Sequence, residues 1–142
     1  MHTLPTIQIW MKSDSMPTDS KPIVITSVNH VVYLVKDLGK SMEYYHDFLG
    51  IPQIPSQVDL KHIIWLRLPS GIMLHLIQSD EAPCPRENHI AFQVCDLEAT
   101  MKAIENKGYK VERTGVRNDG QEFFFTLDPD GNSVEFCTAS GF

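Results

Sequence analysis

Runs of apolar residues of strand length recur along the chain, and two of them open on the same pair of residues. NHVVYLV begins at Asn29 and NHIAFQV begins at Asn88. Both runs are rich in β-branched and aromatic side chains, a composition typical of strands. An aspartate, Asp37 or Asp96, follows the histidine of each run at the same distance. The pattern therefore predicts one structural unit that occurs twice.

A helix is predicted after each of these strands. Asp37 and Asp96 can cap it, because an aspartate side chain accepts hydrogen bonds from the unpaired amides of a first helical turn. Apolar residues then recur at helical spacing up to Gly50 in the first unit and Gly108 in the second. The first strand of the chain is expected to be buried on both faces. The predicted strands are 27–35, 52–55, 62–68 and 72–77, followed by 89–94, 109–113, 122–127 and 133–137.

The order of these elements predicts an α+β fold made of two βαβββ units. His30 and His89 are 59 residues apart, and Gly71 and Gly131 are 60 apart, so the same frame runs through both halves. Each unit is too small to bury its own sheet. The pair is therefore expected to form a curved, mostly antiparallel sheet with the helices on its outer face. The predicted boundaries are 1–22 for a flexible arm, 23–142 for a single domain, and about 27–79 and 86–138 for the two units.

Composition narrows the class of partner. The chain has 142 residues, a net charge of −6 and no run of Lys or Arg. It therefore lacks the clustered positive charge with which proteins bind nucleic acid. No apolar run is long enough for a signal peptide or a membrane span, so a cytoplasmic protein with a small-molecule partner is expected. The cysteines are odd in number and irregularly spaced, which indicates core thiols rather than disulfides or a zinc site. They are Cys84, Cys95 and Cys137.

The repeat places a metal-competent side chain on the first and last strand of each unit. His30 and His89 occupy the first strands, and His75 and Glu135 occupy the last. If those strands are neighbours and the two sheets face each other across a cleft, the four side chains meet. Imidazole nitrogens and a carboxylate suit one divalent ion of borderline character, namely Zn, Ni, Co, Mn or Fe(II). Calcium and magnesium sites use mostly oxygen.

On these residues the chain resembles the vicinal oxygen chelate superfamily, the fold of glyoxalase I, bleomycin resistance proteins and extradiol dioxygenases. The resemblance is carried, in order, by NHVVYLVKDLGKSMEYYHDFLGI, IMLHLI, NHIAFQV and LDPDGNSVEF. It implies that His30, His75, His89 and Glu135 bind one metal ion and that vicinal oxygens of a small substrate complete its coordination. It also implies a homodimer, a state in which subunits of this superfamily can share the site.

The resemblance implies, first, a lyase or isomerase of the glyoxalase type that stabilises an enolate or alkoxide. Glu135 is the first choice for the catalytic base and His75 the second. Glyoxalase I usually has glutamate at the position of His75, and its arginine and asparagine contacts to glutathione fall here on Leu34 and Ser79. The usual glutathione hemithioacetal is therefore not the expected substrate.

Three other functions are compatible with the same resemblance. One is an Fe(II) extradiol dioxygenase, with His30, His89 and Glu135 as its facial triad. The others are a thiol transferase that opens a metal-bound epoxide and a small-molecule-binding resistance protein without metal. Any of these substrates can carry an anionic group, and the arginines available to meet it are Arg67, Arg113 and Arg117.

Overall fold

The structure is a computed structural model that describes residue 23 and residues 25–141. The predicted arm, residues 1–22, lies outside the described residues. No helix in the described part is long and apolar enough to cross a membrane. The strands are β1 His30–Val35, β2 Gln53–Ile54, β3 Ile63–Arg67, β4 Met73–Gln78, β5 His89–Gln93, β6 Arg113–Val116, β7 Glu122–Leu127 and β8 Ser133–Cys137. The helices are α1 Leu38–Met42, a π-helix Glu43–Phe48, and α2 Leu97–Asn106.

The strands form two four-stranded sheets with the same topology. The strand order is β1-β4-β3-β2 in the first sheet and β5-β8-β7-β6 in the second. The first and last strands of each unit run parallel to each other, and the other neighbours are antiparallel. Val32 lies opposite His75 in the first sheet, and Ala91 lies opposite Glu135 in the second. The predicted α+β fold of two βαβββ units is confirmed.

Both helical segments begin where the sequence predicts. The Asp37 carboxylate accepts a hydrogen bond from the Lys40 amide at 3.1 Å, and Asp96 accepts one from the Ala99 amide at 2.9 Å. The first segment is α-helical only as far as Met42 and then becomes a π-helix. The wider turn buries two consecutive tyrosines, Tyr44 and Tyr45, on the same side of the chain. Residue spacing alone did not predict this change of helix type.

Three details of the sequence-based prediction are wrong. β1 is covered on one face only, with Val32 41% exposed, because the helices lie on one side of the sheet. The strand predicted at 109–113 begins instead at Arg113, where pairing with β7 begins. Within this strand, a Cβ at Gly115 would be 2.6 Å from the Phe123 ring. Cys95 is exposed rather than buried in the core.

A single hydrophobic core on the helix side of the sheets joins the two units. The first unit contributes aromatic and aliphatic side chains from β1, β3, β4 and the π-helix, and the second contributes them from α2, β7 and β8. The buried members are Tyr33, Val35, Tyr44, Tyr45, Ile51, Leu66, Leu74, Leu76, Ile104, Phe124, Val134 and Phe136. The opposite faces of both sheets stay outside this core.

The segment LDPDGN forms the predicted turn between β7 and β8, but its first aspartate does more than turn the chain. Asp128 is only 4% exposed. Its carboxylate accepts hydrogen bonds from the Tyr45 hydroxyl at 2.8 Å and from the Asn132 side-chain amide at 3.0 Å. Asn132 also donates to the Leu34 carbonyl at 2.8 Å. This network connects the two units, and burial raises the pKa of Asp128 despite these hydrogen bonds.

Two adjacent buried tyrosines allow the strength of this connection to be measured. Tyr45→Phe removes a buried hydrogen bond to a carboxylate and is expected to lower the free energy of unfolding by about 1.5–3 kcal/mol. Tyr44→Phe is the matched control, because the Tyr44 hydroxyl is buried without a hydrogen-bond partner among the described residues. It is expected to be neutral or stabilising. Urea unfolding of the two variants checks this, and equal destabilisation would contradict it.

Candidate functional site

The four side chains predicted to bind metal lie on the sheet faces that point away from the helices. Side chains alternate between the faces of a strand, and Tyr33 and Leu74 point into the core. His30 and His75, on β1 and β4, therefore point to the open face of the first sheet. His89 and Glu135 hold the equivalent positions on β5 and β8 of the second sheet.

His30 and His75 form a stacked pair. Their ring centroids are 4.3 Å apart and the planes differ by 15°. Trp65 stacks on His75 at 4.1 Å and 13°, so two rings lie against His75. The Nε2 atom of His75 is buried and has no hydrogen-bond partner among the described residues. Burial and, second, the nearby His30 lower the pKa of His75, which favours its neutral form.

His89 and Glu135 form the second pair. Nε2 of His89 lies 3.1 Å from Oε2 of Glu135, and a guanidinium nitrogen of Arg117 lies 2.8 Å from Oε1. Glu135 is 2% exposed, so its charge depends on these partners. Arg117 is also held by Gln121 at 2.8 Å and by stacking over Phe123, with Cζ 4.2 Å from the ring centroid. Arg117 therefore fixes one carboxylate oxygen of Glu135.

Hydrogen bonds on the far side of two imidazoles set which nitrogen faces the open surface. Nδ1 of His30 is 2.8 Å from the side-chain oxygen of Asn29, and Nδ1 of His89 is 3.1 Å from the Glu87 carbonyl oxygen. Because these oxygens can only accept, each Nδ1 donates. This leaves Nε2 of a neutral His30 with a lone pair, whereas Nε2 of His89 already faces the Glu135 carboxylate. Such outer contacts orient histidine ligands in metal sites. The repeated Asn-His sequence thus has two different contacts, since Asn88 does not take part.

The single chain brings the predicted ligands together as two pairs rather than as one group of four. In the residues that the structure describes, no three metal-binding side chains lie close enough to hold an ion. The donor types and the open Nε2 atoms fit a borderline divalent ion, but each pair supplies only half of a site. The four-ligand site therefore stays a prediction.

Sequence reasoning missed two residues that support these pairs. Trp65 lies opposite His75 in the sheet register, but nothing in the chain indicated stacking. Asn29 was visible only as half of a repeated dipeptide. Of the three arginines singled out, Arg117 contacts Glu135 and Arg113 lies over Phe125, with Cζ 4.3 Å from the ring centroid.

Paired βαβββ units with an equivalent pair of polar side chains on each open face define a class of small α+β proteins. The chain belongs to the Glyoxalase/Bleomycin resistance protein/Dioxygenase superfamily, whose family model matches residues 27–136. This confirms the family that the sequence resembles.

Three comparisons show the range of this family. Glyoxylase I 4 of Arabidopsis thaliana is 32% identical over 139 residues, covering 89% of this chain and 76% of the relative. The glutathione transferase FosA of Serratia marcescens is 30% identical over 128 residues, covering 82% and 84%. The crystal structure of a putative glyoxalase family protein from Bacillus anthracis superimposes with a TM-score of 0.73 at 21% identity, covering 84% of this chain and all of that one. The relatives are enzymes, and they include more than one kind of reaction.

His89→Ala is expected to leave the fold intact and to lower the affinity for a divalent ion by more than about tenfold, because a ligand is lost. His62→Ala is the matched control, since His62 is exposed and belongs to neither pair. Metal content after purification without chelator, together with a melting curve, checks both variants. If His89→Ala kept the metal affinity of the wild type, His89 would not be a metal ligand, and its place in the sequence repeat would not indicate one.

Proposed function

We propose that the protein is a metal-dependent lyase or isomerase of the glyoxalase type that acts on a small substrate with vicinal oxygens. One observation carries this proposal. The two units place equivalent pairs of potential metal ligands on their open faces, and these pairs are His30 with His75 and His89 with Glu135. Family membership supports it. When bound, a divalent ion held by His30, His89 and Glu135 would supply a Lewis acid that polarises substrate oxygens.

The surroundings of the two candidate bases differ, and this difference orders their roles. Both oxygens of Glu135 have partners, Arg117 and His89. Nε2 of His75 has no hydrogen-bond partner among the described residues, and burial lowers the pKa of His75, which favours its neutral form. We therefore propose Glu135 as a fixed ligand and His75, in place of a role as fourth ligand, as the residue that accepts a substrate proton at Nε2. This reverses the order favoured by the sequence.

We also propose that two copies of the chain complete the site. Each copy has an open face on each sheet, and each face carries only one donor pair. An isologous dimer would bring the His30–His75 pair of one copy to the His89–Glu135 pair of the other, twice, by symmetry. The exposed apolar residue Val32 on the face of the first pair favours such a contact.

Complementation between defective chains tests the shared site. His30→Ala and His89→Ala each damage both sites of a homodimer, so each alone is expected to lose metal. A mixed dimer contains one site built from the intact pair of each chain. It should bind about one ion per dimer, against about two for the wild type. A mixed dimer purified by two tags and assayed for zinc checks this, and failure to recover metal would place the site within one chain.

Substrate turnover tests the reaction. The protein purified without chelator is expected to contain Zn, Ni, Co or Mn, and to turn over the glutathione hemithioacetal of methylglyoxal at less than ~10 per second, a modest enzymatic rate. The reason is that Leu34 and Ser79 replace the charged and amide contacts to glutathione. Elemental analysis and a lactoylglutathione assay measure both quantities. Faster turnover would overturn the substrate half of the proposal.

Thiol transfer is the second candidate, favoured by the similarity to a glutathione transferase. In that reaction a thiolate attacks an epoxide carbon, the carbon–oxygen bond breaks, and the alkoxide takes up a proton. The consumption of thiol in the presence of an epoxide distinguishes it from isomerisation, which consumes none. Iron in the purified protein and oxygen uptake with catechol would instead support the extradiol dioxygenase.

A further inference from the structure

Arg113 lies beside the candidate site and stacks on one of its aromatic rings. Its Cζ is 4.3 Å from the centroid of Phe125 and 5.9 Å from that of Phe123. The Phe125 ring in turn contacts His89 edge-on, with centroids 5.0 Å apart. A single phenylalanine ring therefore separates the Arg113 guanidinium from a predicted metal ligand.

The neighbouring arginines are already paired with carboxylates, whereas Arg113 is not. Arg117 contacts Glu135 at 2.8 Å, and Arg86 contacts Glu112 at 3.3 Å. In the part of the chain that the structure describes, Arg113 makes no ion pair with an acidic side chain. It is exposed and lines a cavity of about 520 Å³ together with His89.

Stacking leaves the N–H groups at the edge of this guanidinium able to donate. A planar guanidinium can present two parallel N–H groups to a carboxylate or a phosphoryl group. Contact with Phe125 restricts the side chain without using those donors, so little conformational freedom remains to be lost when an anion binds.

The charge near His89 also favours an anionic ligand. In the described residues, Glu135 is paired with Arg117 and Glu112 with Arg86, while Glu87 also lines the cavity. A divalent ion held there would add two positive charges to that of Arg113, against the single negative charge of Glu87. Phe123 and Phe125 line this face, and charges next to apolar surface interact more strongly than charges in water. A substrate with a negative group would offset this excess.

On the basis of the proposed function, we propose that Arg113 binds an anionic oxygen group of the substrate. That group is separated from the metal-chelating oxygens by about the width of one aromatic ring. Arg113 then makes the protein bind anionic compounds with vicinal oxygens in preference to their neutral analogues. Its position differs from Leu34 and Ser79, where glyoxalase I has its glutathione contacts.

Two catechols that differ only in charge test this assignment. Both 3,4-dihydroxybenzoate and 3,4-dihydroxybenzamide offer vicinal oxygens to a metal ion, and only the first has an anionic group on the far side of its ring. Titration calorimetry with the zinc-loaded protein is expected to show tighter binding of the benzoate, by about tenfold or more. Arg113→Gln should lower the affinity for the benzoate alone, so that the ratio of the benzoate affinity to the benzamide affinity comes close to one. Arg113→Lys should keep part of the preference, because the charge remains.

Arg86→Gln is the matched control, since Arg86 lines the same cavity but is paired with Glu112. It should leave the ratio unchanged. The anion site would be contradicted if the wild type bound both catechols with equal affinity. It would also be contradicted if Arg113→Gln lowered the affinity for both catechols alike. Neither result would contradict the proposed metal chemistry. If neither catechol binds the zinc-loaded protein, the proposed function fails, and the anion site fails with it.

Discussion

The buried carboxylate of Asp128 holds the two halves of the molecule in register. A carboxylate that is removed from water must be hydrogen-bonded, or its burial would unfold the protein. Asp128 meets this need with Tyr45 from the first unit and Asn132 from its own turn, and Asn132 also binds the end of β1 through the Leu34 carbonyl. The π-helix, the last turn and β1 therefore keep fixed relative positions. The two pairs of predicted metal ligands lie on the strands that this network orients.

The same connection determines which surfaces stay open. Tyr33 on β1 donates to the Ser133 carbonyl and accepts from the Ile90 amide at 2.6 Å, so the edge strands of the two sheets lie side by side. The core fills the helix side of both sheets. The opposite faces, which carry His30 and His89, are covered by no helix among the described residues. An arrangement of this kind leaves a site that a substrate or a second copy can reach without any unfolding.

Much of the fold could be predicted from the sequence because it depends on local periodicity. The order of the elements along the chain and the two aspartate caps follow from a frame that repeats, whereas the pairing of first with last strands entered only as a condition of the predicted metal site. The π-helix could not be predicted, because it depends on packing of Tyr44 and Tyr45 against the other unit. The start of β6 was also missed, because it depends on pairing with β7, which begins at Arg113 opposite Phe125. These features come from contacts between residues that are distant in sequence.

In the candidate site, too, the sequence pattern predicted the residues that repeat but not the contacts between residues distant in sequence. The pattern marked His30, His89, His75 and Glu135, but it did not reveal that Arg117, at the end of β6, is the partner of Glu135. The orientation of an arginine after a strand depends on the loop that follows it. Here Gln121 and the Phe123 ring determine that orientation. No periodicity in the chain encodes such a three-way contact.

His75 and Glu135 occupy equivalent positions, and their surroundings explain why a neutral and a charged donor can replace each other there. The neighbour across the sheet is Trp65 for His75 and Phe125 for Glu135. A neutral imidazole can be buried against an indole ring without a counter-ion, and it gains stacking energy there. A carboxylate in that place would need a cation such as Arg117, and in the described residues of the first sheet no arginine contacts His75. A glutamate at position 75 would therefore be buried without the partner that Glu135 has, and replacing His75 alone would not reproduce the second pair.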